Sequence, residues 1–414
     1  MIDPGHLRAD RCPGLLSPHR AEDGLLVRIR VPGGRLTTVQ LAGLGRLAAE
    51  YGQPELHLTS RANLQLRGVS EDRLDDLGAA VASLGLLPSP EHDRVRNIVA
   101  SPLAGLSGRP SLDRLITELD RSLCAAPELA ALPGRFLFAL DDGSGDVGSL
   151  RFDLGLRRLS TDTAMIMIGT SDEPVGAVVP TVHAVPAMIM IARRFVAVRE
   201  TSPTAGWHLR EIDPGRLAGG LRPIGELVAG GDVPPVEEGA VAVGSVDGAA
   251  SVAVPLGRLS APQINAIVGA AGDGSGSVIL TPWRGVVLPD AAARLPELAA
   301  AGLIVEADSS WNSVTACVGS PGCARSAIDT RAAATELVSF LESRRAFPVS
   351  RESRASRIHL SGCDRRCGRP TGEVVDLIAP PDTAAAVAAL DAGQGEPPSR
   401  RTRSDHDQPT AGSA

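Results

Sequence analysis

Val27 to Val31 alternates with the two-residue period of a half-buried strand. Thr37 or Thr38 then offers an N-cap to a helix that carries Leu41, Leu44 and Leu47 on one stripe, and Gly52 stops it. From 55 to 67 the even positions read Leu56, Leu58, Ser60, Ala62, Leu64, Leu66, and the odd ones are mostly polar. Successive side chains on a strand point to opposite faces, so Leu56, Leu58, Leu64 and Leu66 are assigned to a core and Arg61, Asn63, Gln65 and Arg67 to the other face. Thirteen residues exceed an ordinary strand, and a kink near Ser60 is expected. Leu74, Leu77, Val81 and Leu84 mark a second helix behind Ser70, ended by Gly85.

The pattern recurs. Val31-Pro-Gly-Gly-Arg-Leu-Thr37 followed by Gln40 is echoed by Val254-Pro-Leu-Gly-Arg-Leu-Ser260 followed by Gln263. Thr59, Arg61 and Gly68 are echoed in order by Thr281, Arg284 and Gly285, and the chain is read as carrying a duplicated unit. In the second copy the stretch from Ser277 to Leu288 is mostly apolar, so the copies are no longer equivalent. The polar face of the first copy is open to two readings. It is either a solvated sheet surface or a donor-rich array suited to carboxylates and other anions. Gly230 to Gly248, rich in Gly, Pro and Glu, reads as a joint, and the residues beyond about Ala392 bury almost nothing.

Composition narrows the chemistry. All 41 basic residues among the 414 are Arg, so no lysine is available for a Schiff base, a Walker-type loop or a low-pKa base. A net charge of -7 argues against a general nucleic-acid binder, while Arg can still be concentrated around one anionic ligand. The longest apolar candidate for a membrane span, Ala184 to Ala192, is short and contains Pro186, so no membrane association is expected. Met1 to Arg11 lacks the apolar core of a signal peptide, and a cytoplasmic location is expected.

Six cysteines stand at 12, 124, 317, 323, 363 and 367. Cys317 and Cys323 form a C-x5-C pair, and Cys363 and Cys367 a C-x3-C pair. Four thiolates are the ligand complement of a [4Fe-4S] cluster, and Gly319, Pro321 and Gly322 suit a loop wrapped around one side of it. Structural zinc prefers pairs two to four residues apart, which fits the second pair better than the first. Arg325, Arg365, Arg366 and Arg369 are either donors to the cluster or surface charges, and Cys12 and Cys124 read as structural.

Two such cysteine pairs late in a chain of two related halves resemble the sulfite and nitrite reductase family. The resemblance reaches to about residue 382 and implies an α+β fold. Two ferredoxin-like half-domains, 1–87 and 241–300, would form a shared central body. Two larger α/β domains, 88–240 and the cluster-binding 301–383, would follow them, with a disordered tail at 384–414. Thr59-Ser-Arg-Ala-Asn-Leu-Gln65 is similar to the family's Thr-x-Arg-x-Asn-x-Gln strand, which implies that Arg61, Asn63 and Gln65 face the tetrapyrrole. Asp93-Arg-Val-Arg-Asn97 resembles the segment with a second active-site arginine, here Arg96 beside Asn97. Leu132-Pro-Gly-Arg-Phe-Leu137 stands where the reductases carry Lys-x-Lys, leaving Arg135 and Leu137 in place of the two lysines. An arginine is a poor proton donor and a leucine is none.

Phe138-Ala-Leu-Asp-Asp-Gly143, Thr281-Pro-Trp-Arg-Gly285 and Ser361-Gly-Cys-Asp-Arg-Arg-Cys-Gly368 are most similar to the family's precorrin-3B synthase branch. That likeness implies a monooxygenase that takes precorrin-3A, a tetrapyrrole, as substrate and O2 as co-substrate, with electrons derived from NADH. Arg61, Arg96, Arg135 and Arg284 are then the candidate carboxylate partners. It also implies a mononuclear non-haem iron of unidentified ligands, since His57, His92, His183, His208 and His359 all read as structural. With no nucleotide-binding fingerprint in the chain, a separate electron-donating reductase is expected. The alternative is a sirohaem-dependent sulfite or nitrite reductase, in which Cys367 would also ligate the sirohaem iron.

Overall fold

The structure is a computed structural model that describes residues 10, 12–148, 150–169, 175–201, 206–212, 226–229, 240–272, 274, 276–345, 357–370 and 372–391. It divides into two compact units, 1–312 and 313–414.

In the first unit the chain runs through β1 (His19–Ala21), β2 (Gly24–Ile29), β3 (Arg35–Thr37), α1 (Thr38–Tyr51), β4 (Glu55–Leu58), β5 (Leu64–Val69) and α2 (Leu74–Ser83). The start of α1 is fixed by a capping box. The Thr37 hydroxyl accepts from the Gln40 N–H while the Gln40 side chain accepts from the Thr37 N–H, an arrangement worth about 1 kcal/mol. Gln40 also donates to the Leu84 carbonyl just past α2, tying the two helices together. Leu41, Leu44 and Ala48 of α1 enter the core, and Gly52 follows as the C-cap.

The expected kinked strand over 55–67 is a hairpin. β4 and β5 pair antiparallel, with Leu58 opposite Leu64, around a turn in which Ala62 has a φ of 52°. The Thr59 hydroxyl accepts from the N–H groups of Arg61 and Asn63, which lets a tight turn replace a bend. Leu56, Leu58, Leu64 and Leu66 are buried as the alternation requires, because a hairpin keeps side-chain parity along each strand.

Next come β6 (Ile98–Ala100), α3 (Asp113–Cys124), β7 (Phe138–Asp141), β8 (Leu154–Arg158), β9 (Thr163–Ile168), β10 (Val175–Pro180), α4 (Thr181–Thr201) and β11 (Glu226–Ala229). They build a six-stranded sheet in the order β11-β10-β9-β8-β7-β6, with α3 and α4 packed on one face. By length and composition α4 would suffice to cross a membrane, although the sequence reading found only a short apolar stretch there. Met188, Ile191, Phe195 and Val196 of α4 lie in the core with Phe136 and Leu119, which accounts for the apolar composition by packing.

The second copy comprises β12 (Gly244–Val246), β13 (Ala249–Ala253), β14 (Arg258–Ser260), α5 (Ala261–Gly272), β15 (Ser277–Leu280), β16 (Gly285–Leu288) and α6 (Leu295–Ala300). Here Gln263 accepts from the Ser260 N–H and donates to the Gly302 carbonyl after α6, repeating the double role of Gln40. The two copies exchange strands. β3 of the first pairs with β15 of the second, and β14 of the second pairs with β4 of the first. The resulting five-stranded sheets run β1-β2-β5-β4-β14 and β12-β13-β16-β15-β3, and they share one core with α1 packed on α5. Arg258 crosses the exchange to bond Glu55 through Nε and Nη2 at 2.9 and 2.7 Å.

The turn equivalence differs from the one drawn from sequence. Thr281 and Gly285 close a turn identical in hydrogen bonding to that of Thr59 and Asn63, so Arg284 (φ 59°) occupies the place of Ala62 and not of Arg61. Counting from an arginine rather than from the hydroxyl that organises the turn shifted the register by one.

The second unit holds β17 (Val314–Ala316), α7 (Thr330–Arg345), β18 (Arg357–Ser361), β19 (Val374–Ile378) and α8 (Thr383–Asp391), with a parallel sheet β17-β18-β19. α8 extends the ordered chain eight residues into the segment read as tail, where small apolar residues such as Ala386 pack; 392–414 and much of the joint at 230–248 lie outside the described residues.

The exchange depends on Gly34, whose φ is 70° and where a Cβ would collide with the Leu280 carbonyl oxygen; Gly85 has a similar φ of 75° and open space around it. Gly85→Ala is expected to cost about 1 kcal/mol, the left-handed strain alone. Gly34→Ala should cost clearly more, measured by urea unfolding of the two variants side by side.

Candidate functional site

In the second unit the parallel sheet sets the site. β17 and β18 run in the same direction, so the segments that leave their C-terminal ends, 317–323 and 362–368, emerge along one edge. The Cys317 N–H donates to the Leu360 carbonyl, and the Gly362 N–H points at Cys317 Sγ at 3.4 Å. The loop is held down by Thr330, fully buried at the start of α7, which donates to the Cys317 carbonyl at 2.8 Å. Gly319 (φ 69°) passes so close to Thr330 that no side chain fits, and Gly362 is pressed equally against Ser326.

The thiols of Cys317, Cys323 and Cys363 share the surroundings of Cys367. Burial pushes the Cys367 thiol up, the other three raise it further, and Arg365 opposes them. Four free thiols in one electrostatic neighbourhood suit a [4Fe-4S] cluster. Among the described residues no group of three or more His, Cys, Asp or Glu converges tightly enough to hold a single metal ion. A lone zinc needs all its sulfurs about 2.3 Å from one point, whereas the ligands of a cubane stand apart at its corners. Of the four nearby arginines, Arg366 and Arg369 are engaged by the buried Asp376, and Arg365 is left facing the thiols.

The same finding bears on the expected non-haem iron. No three-ligand set stands ready for it among the described residues, and most of the histidines are otherwise engaged: His57 with Glu55, His92 with Ser89 and Ala126, His208 with Asp153, His359 with Thr315.

In the first unit β2 and the β4–β5 turn gather arginines. Burial, with Arg61 second, pushes Arg28 down to about 10; burial, with Arg28 second, pushes Arg30 down to about 9. Arg61 is lowered by burial and by Arg135, while Cys12, Asp153 and Asp10 offset part of that. Arg28, Arg30 and Arg61 remain charged at neutral pH. Because folding lowers the pKa values of these three, their burial costs stability at every pH below about 9, and a bound polyanion would recover that cost. Arg30 is 1% exposed and its Nη1 lacks a hydrogen bond, as does the buried Nε of Arg135. Burial and Asp10 together raise the thiol of Cys12, which sits among these cations. Trp207 is within cation–π range of both Arg135 (5.0 Å) and Arg199 (5.6 Å).

The candidate residues fall into two groups. Arg61 and Arg135 come together, and Arg61 makes no side-chain hydrogen bond among the described residues. Gln65 lies beside them but accepts twice from Arg28, at 3.1 and 2.6 Å. The others are committed to the fold. Arg96, 3% exposed, forms a two-pronged pair with Asp120 at 2.7 and 2.8 Å and donates to the Leu86 carbonyl. Asn63 accepts from the Val31 N–H, and Asn97 donates to the carbonyls of Arg94 and Gly134. Arg284 is lowered by burial alone, with no charged group of the cluster contributing. Arg67 is paired with Asp23. Leu137 is buried among Val99, Ala139, Phe152, Met165 and Met167. Arg28, on β2, and Arg30, just past its end, were not among the candidates, although their alternation with Val27, Ile29 and Val31 was the signal.

Two variants separate these groups. Arg96→Ala should lose roughly 3–5 kcal/mol because it strands the Asp120 carboxylate in a buried pair, measured by chemical denaturation. Arg61→Ala should leave stability unchanged or raised, and weaken binding of a polycarboxylated tetrapyrrole at least tenfold in an absorbance titration. For the thiols, Ser at Cys317, Cys323, Cys363 or Cys367 should abolish iron and acid-labile sulfide, about four of each per chain in the parent. Ser at Cys124 should leave both intact.

Residues 17–84 match the family model of the nitrite/sulfite reductase ferredoxin-like half domain. A precorrin-3B synthase from Sinorhizobium sp is 25% identical over 401 residues, covering 91% of this chain and 82% of its own. A ferredoxin–nitrite reductase from Synechococcus elongatus is 28% identical over 85% of this chain and 75% of its own. A sulfite reductase (ferredoxin) from Mycolicibacterium paratuberculosis is 26% identical over 83% and 68%. The structure of the Mycobacterium tuberculosis NirA protein superposes with a TM-score of 0.68 at 20% identity, over 89% of this chain and 76% of that one. The reciprocal sheets, the half domain at 17–84 and the superposition together give the chain the fold of the nitrite and sulfite reductases, with ferredoxin-like half-domains.

Proposed function

We propose that the protein is a precorrin-3B synthase, an O2-dependent monooxygenase that converts precorrin-3A to precorrin-3B by hydroxylation at C20 and γ-lactone formation. The observation that carries this reading is the pairing of a desolvated arginine cluster with a buried Leu137. Arg28, Arg30, Arg61 and Arg135 offer charge and free donors to a polycarboxylated macrocycle. Bidentate guanidinium–carboxylate pairs are the strongest hydrogen bonds these groups can form, and excluding water from them strengthens the attraction.

Reduction of sulfite or nitrite takes six electrons and many protons, and in the reductases the Lys-x-Lys pair supports that delivery. Here one lysine position is Arg135 and the other is Leu137, packed on Phe152 and Met167 with no polar atom in its side chain. No lysine elsewhere in the chain can substitute. Hydroxylation makes a smaller demand: one oxygen atom of O2 enters the tetrapyrrole, the other leaves as water, and two electrons and two protons are consumed.

The residues fit a [4Fe-4S] cluster on Cys317, Cys323, Cys363 and Cys367, which would supply one-electron transfer when bound. The two electrons per turnover would come ultimately from NADH through a separate reductase, in the cytoplasm. Among the described residues no set of three ligands fits a mononuclear iron.

A sirohaem-dependent sulfite or nitrite reductase is the second reading, favoured by the equally close reductase relatives. Anaerobic incubation of the cluster-loaded protein with precorrin-3A, followed by 18O2 and reductant, should add one labelled oxygen atom to the product by mass spectrometry. Tightly held sirohaem on pyridine extraction, with sulfite or nitrite reduction driven by reduced viologen, would reject the proposal.

A further inference from the structure

An aspartate–histidine pair lies on the border of the arginine cluster. Asp153, 1% exposed, sits just before β8 and accepts at Oδ1 from both the Leu209 N–H and the His208 ring, the latter at 3.0 Å from Nδ1. Its Oδ2 accepts from the Leu137 N–H at 3.0 Å, so the backbone of the residue that fills a lysine position in the reductases anchors the carboxylate. A carboxylate oxygen can only accept, so the ring nitrogen facing it, Nδ1, is the donor of that hydrogen bond. That leaves Nε2, which has no partner among the described residues, on a side chain that keeps 16% exposure.

The pair belongs spatially to the cluster. Asp153 is one of the charges that act on Arg61. Trp207, adjacent to His208, lies against Arg135 and Arg199, and its N–H donates to Glu211. The charged groups around the imidazole are thus Asp153 from β8, Arg61 from the hairpin turn, Arg135 ahead of β7, Arg199 from α4, and Glu211 on its own segment. The imidazole is not needed to satisfy Asp153, because the Leu209 and Leu137 N–H groups already donate to its two oxygens.

We infer that His208, oriented by Asp153, is the proton-transfer residue of this site, taking over in part the role that the missing lysine pair plays in the reductases. The inference rests on the monooxygenase reading. The reaction consumes O2, the tetrapyrrole, two electrons from an external reductant and two protons, and yields the hydroxylated tetrapyrrole and water. The imidazolium gives its Nε2 proton to the oxygen atom that departs as water, and the neutral ring recovers a proton from solvent through its exposed edge. Neither atoms nor electrons are gained or lost by the histidine over the cycle. Imidazole is suited to this exchange near neutral pH, where guanidinium is not.

The test compares the parent with His208→Ala, His208→Gln and Asp153→Asn, all cluster-loaded. Tetrapyrrole binding by absorbance titration should stay within about threefold of the parent for both His208 variants, while single-turnover product formation falls roughly 10²–10⁴-fold. Exogenous imidazole should restore turnover to His208→Ala, with a pH profile that tracks the pKa of the added base. By 15N NMR of histidine-labelled parent, the His208 ring should be an Nδ1–H tautomer at high pH, and Asp153→Asn should disturb it. If the parent forms product and His208→Ala matches its rate and pH profile, the inference is overturned while the monooxygenase reading stands. If the parent forms no oxygenated product, that reading itself has failed.

Discussion

The reciprocal loan of a three-residue strand between two copies of one motif is the constraint on which the molecule turns. β3 completes the sheet of the second copy and β14 completes that of the first, so each sheet has one strand separated from its neighbours by some two hundred residues of chain. The tight turns before both strands carry residues in the left-handed region, Gly33 and Gly34 in one copy and Leu256 and Gly257 in the other. Those turns fix where β2 ends and where the 59–63 turn must lie. The positions of Arg28, Arg30 and Arg61 follow from that geometry.

A cluster of four desolvated cations is a standing cost, and the fold holds three of them on neutral supports, with Asp10, Asp93 and Asp153 offsetting only part of the charge from a distance. Arg30 is held by the carbonyls of Pro13 and Arg94, Arg28 by the Gln65 amide, and Arg135 by the face of an indole. Neutral supports position a guanidinium without neutralising it. A carboxylate at these places would have stabilised the free protein and blocked an anionic ligand. Two ion pairs, Arg96 with Asp120 and Arg67 with Asp23, show the contrast: there the charge is paired within the fold.

Much of this architecture is legible along the chain. The period of two in β2, the helical stripe of Leu41, Leu44 and Leu47, the duplicated turn and the paired cysteines are local patterns, and local patterns survive in sequence. What is not legible has a common physical cause. A motif names Arg96 and Asn63 but not the partners that consume them, and those partners stand 24 and 32 residues away. Arg284 was matched to Arg61 because both are arginines, whereas the turn is organised by the hydroxyls of Thr281 and Thr59. Nothing near His208 in sequence announces its partner Asp153, 55 residues earlier. The four thiols are brought together because four of one rare residue type in two close pairs carry their own partners with them.

The strand exchange also governs how the chain can be made. While the first copy is being synthesised, the outer edge of β4 presents unsatisfied N–H and C=O groups until Arg258–Ser260 has left the ribosome. At about 5–20 residues per second, that interval lasts some ten to forty seconds. Nascent chains of this length would expose an open sheet edge able to recruit the same segment from a neighbouring polypeptide. The protein therefore has a window of vulnerability to intermolecular pairing that a fold without the exchange would not have, and this window closes only when its own second half arrives.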